Sequence, residues 1–285
     1  MLNELDRCRL FARVLSRPTF AALAAGQPPE RVFSFLHAAG EYRRGQTVAS
    51  VYETAFDLLS KWYRNEYVYK AAIADRIVFG RHSPRTSSLA VELPVGRSIV
   101  DVAVFNGTST AYEIKTEFDS PKRLVTQTPD YLRAFERVFV VTHPASVERY
   151  EDACDPRVGL LALEARGRLR LVREASSNAE HIEPGVQFRM LRRSEYVPAL
   201  QALTGEPIDM PNGLVAGHCE KLFGNLPREV AHREFVAALR SRTTSPADAD
   251  FLASLPAHLR VLGFSSQLSS PQRSRILSLL DTGLH

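Results

Sequence analysis

Three cysteines in 285 residues, Cys8, Cys154 and Cys219, are too few and too scattered for a disulfide framework or a cysteine-rich zinc site. No apolar run approaches the ~20 residues that a membrane span needs. The opening Met1-Leu2-Asn3-Glu4-Leu5-Asp6 lacks the basic start and apolar stretch of a secretory signal. Internal repeats and low-complexity tracts are also missing. These absences set aside membrane, secreted and solenoid classes, and the expected setting is reducing and cytoplasmic.

What is present is ordinary globular composition, 45% hydrophobic and 24% charged. The length suits one large domain or two small ones. A formal charge of +4 and a pI near 9.0 favour an anionic partner without naming it. Arg166, Arg168, Arg170, Arg173, Arg189, Arg192 and Arg193 crowd one stretch. They would make either a basic rim that neutralises phosphates or the solvated faces of strands and loops.

Periodicity divides the chain. Leu5, Leu10, Phe11, Val14 and Leu15 recur with helical spacing, and Arg17-Pro18 is read as the end of that segment. Further helices are expected over residues 29–39, over 48–62 with Thr47 as cap, and over 65–79 before Gly80. The pattern then switches to short β-branched runs at 88–95, 98–105 and 109–116, read as three antiparallel strands. A helix is expected over 120–135, started by Ser120-Pro121. A solidly apolar central strand follows at 137–142, then a hairpin of 160–163 with 169–172. From Ser194 the chain reads as helical, and the Pro-, Gly- and Asn-rich stretch 204–224 is the expected linker. The resulting organisation is an N-terminal helical segment (1–61), an α/β core with a central mixed sheet (62–193) and a C-terminal helical region (194–285). The last of these is a candidate surface for a homodimer or protein partner.

Chemistry concentrates in two strands. Asp101 stands alone in the apolar run Ile99-Val100-Asp101-Val102-Ala103, and Glu113 and Lys115 sit two apart, hence on one strand face. Charged groups seldom occupy central strands unless paired or metal-bound. Two carboxylates and a backbone carbonyl, here that of Ile114, suit Mg²⁺ or Mn²⁺ while leaving positions open for phosphate and water. A nearby lysine can orient water or stabilise developing charge. The bland alternative is an ion pair that fixes strand register. Glu66, Ile73 and Ile77 fall within about 20° of one helical line, so Glu66 is expected on the core side of its helix, as a third carboxylate near the metal or a ligand of a second one.

Asp101, eleven intervening residues, then Glu113-Ile114-Lys115, after a helix bearing Glu66, resembles the PD-(D/E)XK nuclease superfamily. The stretches 63–70 and 112–131 resemble a group of uncharacterised bacterial proteins within it. Gln127 and Tyr131 reproduce the Gln-x-x-x-Tyr element of RecB-like nucleases. The resemblance covers roughly residues 62–173. It implies a restriction-endonuclease-like core of helix, three strands, helix and strand. It also implies metal-dependent DNA hydrolysis in bacterial DNA processing or defence against foreign DNA, with Gln127 and Tyr131 near the substrate. RNA as substrate, or a non-catalytic DNA-binding or scaffolding module, are the competing readings.

Two departures stand out. Val100, not proline, precedes Asp101, and Pro129 interrupts the helix between Gln127 and Tyr131. The hairpin sets a further condition. Asp101 and Glu113 share a face only across a three-residue loop, Asn106-Gly107-Thr108, or a bulge, whereas Asn-Gly most often makes a two-residue turn. Elsewhere, His82, His143, His181 and His218-Cys219 lack zinc spacing. Glu92 is read as a neighbour of Asp101 or a salt-bridge partner, Asp119 and Arg123 as helix-start residues, and Glu117 as a solvated strand end.

Overall fold

The structure, a computed structural model, describes residues 2–43 and 45–284. A six-stranded mixed sheet runs in sequence order: β1 (Ser88–Val95), β2 (Ser98–Phe105), β3 (Ser109–Lys115), β4 (Arg137–Thr142), β5 (Gly159–Leu163) and β6 (Leu169–Arg173). β1, β2 and β3 form an antiparallel meander. β4 and β5 are parallel to β3, and β6 returns antiparallel. Parallel neighbours require crossovers, and the helices Leu124–Leu132 and Val147–Ala153 supply them. The protein is α/β with flanking helices, as expected.

The β2–β3 connection decides the geometry of the acids. Phe105 pairs with Ser109 and Val102 with Tyr112. The loop is therefore the three residues Asn106-Gly107-Thr108, with the Asn106 N–H donating to the Thr108 carbonyl at 3.2 Å. Gly107 holds φ at 113°, a conformation open in practice only to glycine. Regular pairing ends at Val102–Tyr112, with Asp101 and Glu113 the next residues on their strands.

Each sheet face carries its own buried cluster. One joins Val102, Val104, Tyr112, Ile114 and Val141 to the N-terminal helices, the Glu66–Ile73 helix and the helices after Pro246. The other joins Ala103, Phe105, Ala111, Val138 and Val140 to the Leu124–Leu132 helix and the helices between Pro184 and Ser241. The chain's two flanks thus meet on the first face. Val48 N–H donates to the Thr282 carbonyl at 3.1 Å and Leu284 N–H to the Gln46 carbonyl at 2.8 Å, around a Thr47–Gly283 bridge.

Several local expectations change. Pro18 does not end a helix; it sits in the first turn of a new one, Arg17–Ala24, capped by Ser16. The 65–79 helix is α-helical over Glu66–Ile73 and π-helical over Ala74–Phe79. The 120–135 helix begins as a 3₁₀ turn, Pro121–Arg123, and continues as Leu124–Leu132 straight through Pro129. The expected linker is mostly a helix, Asn212–Gly224, which buries Val215, Cys219 and Phe223 at i, i+4 and i+8. That apolar stripe outweighs the helix-breaking composition. The three cysteines are free thiols.

Candidate metal and nucleic-acid site

Three neighbouring strands each carry one acid near the site: Glu92 on β1, Asp101 on β2 and Glu113 on β3. Glu92 of β1 falls between the paired residues Val91–Val102 and Leu93–Val100, as Asp101 does on β2, and neither is itself paired in the β1–β2 register. Side-chain alternation breaks at this row: Leu89 and Val102 join the first buried cluster, whereas Leu93 and Val100 join the second. Glu92 takes φ 54°, a left-handed backbone that costs a non-glycine residue about 1–2 kcal/mol.

Regular β2–β3 pairing ends at Val102–Tyr112. Beyond it a side chain replaces the ladder: the Ile114 N–H donates to Asp101 Oδ2 at 2.7 Å. In an extended strand the N–H and C=O of one residue leave by the same edge. The Ile114 carbonyl therefore faces the Asp101 side as well.

Glu113 and Lys115 lie on β3, whose seven residues are all buried. Lys115 Nζ is 2.6 Å from Glu113 Oε1 and donates to Gln127 Oε1 at 3.1 Å. At 3% and 6% side-chain exposure, neither charge is solvated, so each offsets the other's desolvation. The Tyr131 hydroxyl lies 2.8 Å from Glu113 Oε2 and 2.7 Å from the Ile99 carbonyl, and its one hydrogen serves one of them at a time. Gln127 Nε2 reaches that hydroxyl at 3.4 Å. Pro129 thus leaves the one-turn spacing of Gln127 and Tyr131 intact.

Glu66 projects from the first turn of its helix and is half exposed, with Oε1 2.5 Å from Lys70 Nζ. It does not join Asp101 and Glu113 in one ligand set. Among the described residues, no three His, Cys, Asp or Glu side chains are grouped to hold a metal ion. Its charge still reaches Asp101. Burial pushes the Asp101 carboxyl up to about 7, and the negative charges of Glu113 and then Glu66 add to the rise. The Ile114 N–H and Lys70 oppose it. Half-buried carboxylates in surplus over nearby cations are the chemistry of a cation site.

Two residues of this cluster were not singled out in the sequence. Lys70, buried on the Glu66–Ile73 helix, bridges Glu66 and Glu92, whose Oε1 lies 3.1 Å away. Arg17 pairs with the other Glu92 oxygen. The Glu66/Lys70 spacing of four was the available signal for the first; nothing local marks the second.

The surroundings sort the remaining candidates. His82 contacts Asn106, His143 caps the turn at Ala145, and His218 is exposed. Asp119 Oδ2 accepts from the Thr116 N–H and hydroxyl, closing the loop after β3, and Glu117 is exposed beyond the strand end. The arginine stretch is largely committed: Arg168 and Arg170 share Glu164, Arg173 donates to the Val158 carbonyl, and Arg189 pairs with Glu220. One exposed aromatic follows the site strand closely in sequence. Phe118, 67% exposed, packs on Tyr63 three residues beyond Lys115, beside Lys122 and Arg123 in sequence.

Residues 60–256 match the family model described as Bacteriophage P4 protein cII, and the chain belongs to that family. No curated protein matches. A solved protein of unknown function from Silicibacter pomeroyi is similar at 21% identity over 44% of this chain and 86% of its own, with a TM-score of 0.29.

Proposed function

We propose that this member of the bacteriophage P4 protein cII family is a divalent-metal-dependent nuclease that hydrolyses DNA phosphodiester bonds. Its core would be restriction-endonuclease-like, made of the Glu66–Ile73 helix, β1–β3, the Leu124–Leu132 helix and β4. The reading rests above all on Asp101 accepting from the N–H of Ile114, the residue between Glu113 and Lys115, which are themselves paired at 2.6 Å. The exposed aromatic and basic side chains beyond Lys115 suit a nucleic acid, whose bases stack and whose phosphates attract cations.

In this reading Asp101, Glu113 and the Ile114 carbonyl would hold Mg²⁺ or Mn²⁺. Bound there, the ion supplies Lewis-acid polarisation of the phosphoryl group and neutralises charge. Lys115 orients the attacking water and stabilises the developing negative charge. Gln127 aims the lysine by accepting a hydrogen bond from its Nζ at 3.1 Å. Tyr131 holds the Glu113 carboxylate from the far side, and Glu66 assists through its field on Asp101. A role in bacterial DNA processing or in defence against foreign DNA belongs to the same proposal.

One observation favours a second reading, a non-catalytic DNA-binding or scaffolding module. Glu113 is already paired with Lys115, and no three-acid group stands ready among the described residues. The purified protein with Mn²⁺ and linear, circular and single-stranded DNA, with RNA alongside, separates the two. Cleavage that disappears in Asp101→Ala supports the nuclease. Cleavage that persists in the variant points to a contaminant and removes the support. Salt-sensitive binding with no cleavage of any substrate favours the module.

A further inference from the structure

The helix that carries Glu66 continues as the π-helical turns Ala74–Phe79, and just beyond them Arg81 is exposed. These turns and the connection between β5 and β6 line one groove of about 840 Å³. Its charged residues are Arg76, Arg81, Arg166, Arg168 and Glu164. Four guanidinium groups thus stand against one carboxylate, which also pairs with Arg170 at 2.7 Å. Arg168, 72% exposed, reaches that carboxylate only at 3.4 Å. Among the described residues, neither the Arg81 nor the Arg166 guanidinium has a hydrogen-bond or ion-pair partner.

The β5–β6 connection is strained. Arg166 holds φ 57° and ψ 29°, left-handed values that glycine adopts without penalty. Arg76 ties this turn to the π-helical segment: its Nε donates to the Gly167 carbonyl at 3.2 Å and its Nη2 to the Arg166 carbonyl at 3.1 Å. Both π-helical turns and left-handed non-glycine residues concentrate at functional sites. An exposed, unpaired arginine kept where glycine would fit better points to a use for its charge. Burial pushes the Tyr112 hydroxyl up to about 12 and the charges of Arg81 and Arg137 pull it back, which carries this positive field to β3, the strand of Glu113 and Lys115.

We propose that this groove is a phosphate-backbone site for DNA, in which Arg81, Arg166 and Arg168 each take a separate phosphate while Arg76 holds the turn that presents the last two. Three available cations in one groove suit a polyanion rather than a single free anion, and release of the polyanion's counterions drives binding. The inference rests on the nucleic-acid part of the reading above and needs neither metal nor cleavage.

Fluorescence anisotropy of labelled duplex DNA with the full chain in EDTA, across a salt series, tests this. Arg81→Ser and Arg166→Gly each remove one charge, and glycine relieves the left-handed turn, so thermal melts should stay at or above the wild type. For each variant the plot of log K against log salt should flatten by about 0.9, and the double variant should bind on the order of fiftyfold more weakly at about 0.1 M salt. Arg31→Ser, at an exposed arginine outside the groove, should bind as the wild type does. Should the double variant fail to fold, Arg81→Ser alone decides by the same slope. Wild-type affinity and slope in the variants overturn the groove assignment and leave the nucleic-acid reading standing. A wild type that binds no DNA at any salt removes both. Displacement of the DNA by inorganic phosphate, at an ionic strength where chloride leaves it bound, marks a single-anion site and also overturns the proposal.

Discussion

Replacing Asp101 by asparagine should stabilise the metal-free protein at neutral pH and above. The carboxyl, ordinarily at 3.8, is pushed to about 7 by burial and by Glu113 and Glu66. Below 3.8 folded and unfolded chains both hold the proton, and nothing separates them. Between 3.8 and about 7 the unfolded chain releases a proton that the folded chain keeps, so stability falls as pH rises. Above about 7 the penalty is fully present. At ~1.4 kcal/mol per pH unit its ceiling is about 4 kcal/mol. The surroundings relax around either side chain, so about 1–3 kcal/mol is the share one substitution recovers. Asparagine keeps an oxygen for the Ile114 N–H, so the local hydrogen bond survives. For a chain of this size the gain is roughly 2–10 °C in Tm. Thermal melts in EDTA from about pH 4 to about pH 8 should show the gap opening with pH. Saturating Mn²⁺ should close or invert it, since an ion at 100 times its Kd stabilises only the wild type, by about 2.7 kcal/mol. A variant no more stable than wild type at pH 8, or a gap that ignores pH, would refute the reasoning.

Four other substitutions test the charges and packing of the sheet. Lys115→Met leaves Glu113 buried and alone, and should cost ~3–5 kcal/mol in denaturant melts together with at least about a hundredfold in DNA cleavage rate. Adding Glu113→Gln should restore much of the stability and none of the cleavage; a double variant as unstable as the single one would contradict the ion-pair account. Tyr131→Phe strips the hydroxyl from Glu113 and the Ile99 carbonyl and should destabilise by ~1–3 kcal/mol, read from urea midpoints. Gly159→Ala would put a methyl group 2.3 Å from the Phe139 ring and 2.7 Å from the Ala175 nitrogen, with an expected loss of ~1–3 kcal/mol or more by calorimetry.

The sheet was legible because its strands carry apolar runs and clear turns, and the requirement that Asp101 and Glu113 share a face gave the three-residue loop against the usual habit of Asn-Gly. Gln127 and Tyr131 were legible too, despite Pro129, since tertiary contacts of Leu124, Tyr131 and Leu132 hold the helix together. Composition misled where packing prevailed. Glycine and proline around 204–224 suggested a linker, while Val215, Cys219 and Phe223 formed a buried stripe. The Glu66 wheel position put that residue on the core side, whereas its side chain is half exposed and pairs with Lys70. Lys70 finds Glu92 twenty-two residues away through a left-handed backbone that no periodicity announces.

The knot of hydrogen bonds between residues 45–48 and 282–284 also has a temporal side. The helices preceding β1 cannot complete their buried surface until the final helix has been synthesised, more than two hundred residues later. At about 5–20 residues per second that is a wait of roughly 10–40 s. During that interval the Arg17–Ala24 helix, whose Phe20 and Leu23 are fully buried in the finished molecule, lacks the Ser270–Leu280 helix that packs on it.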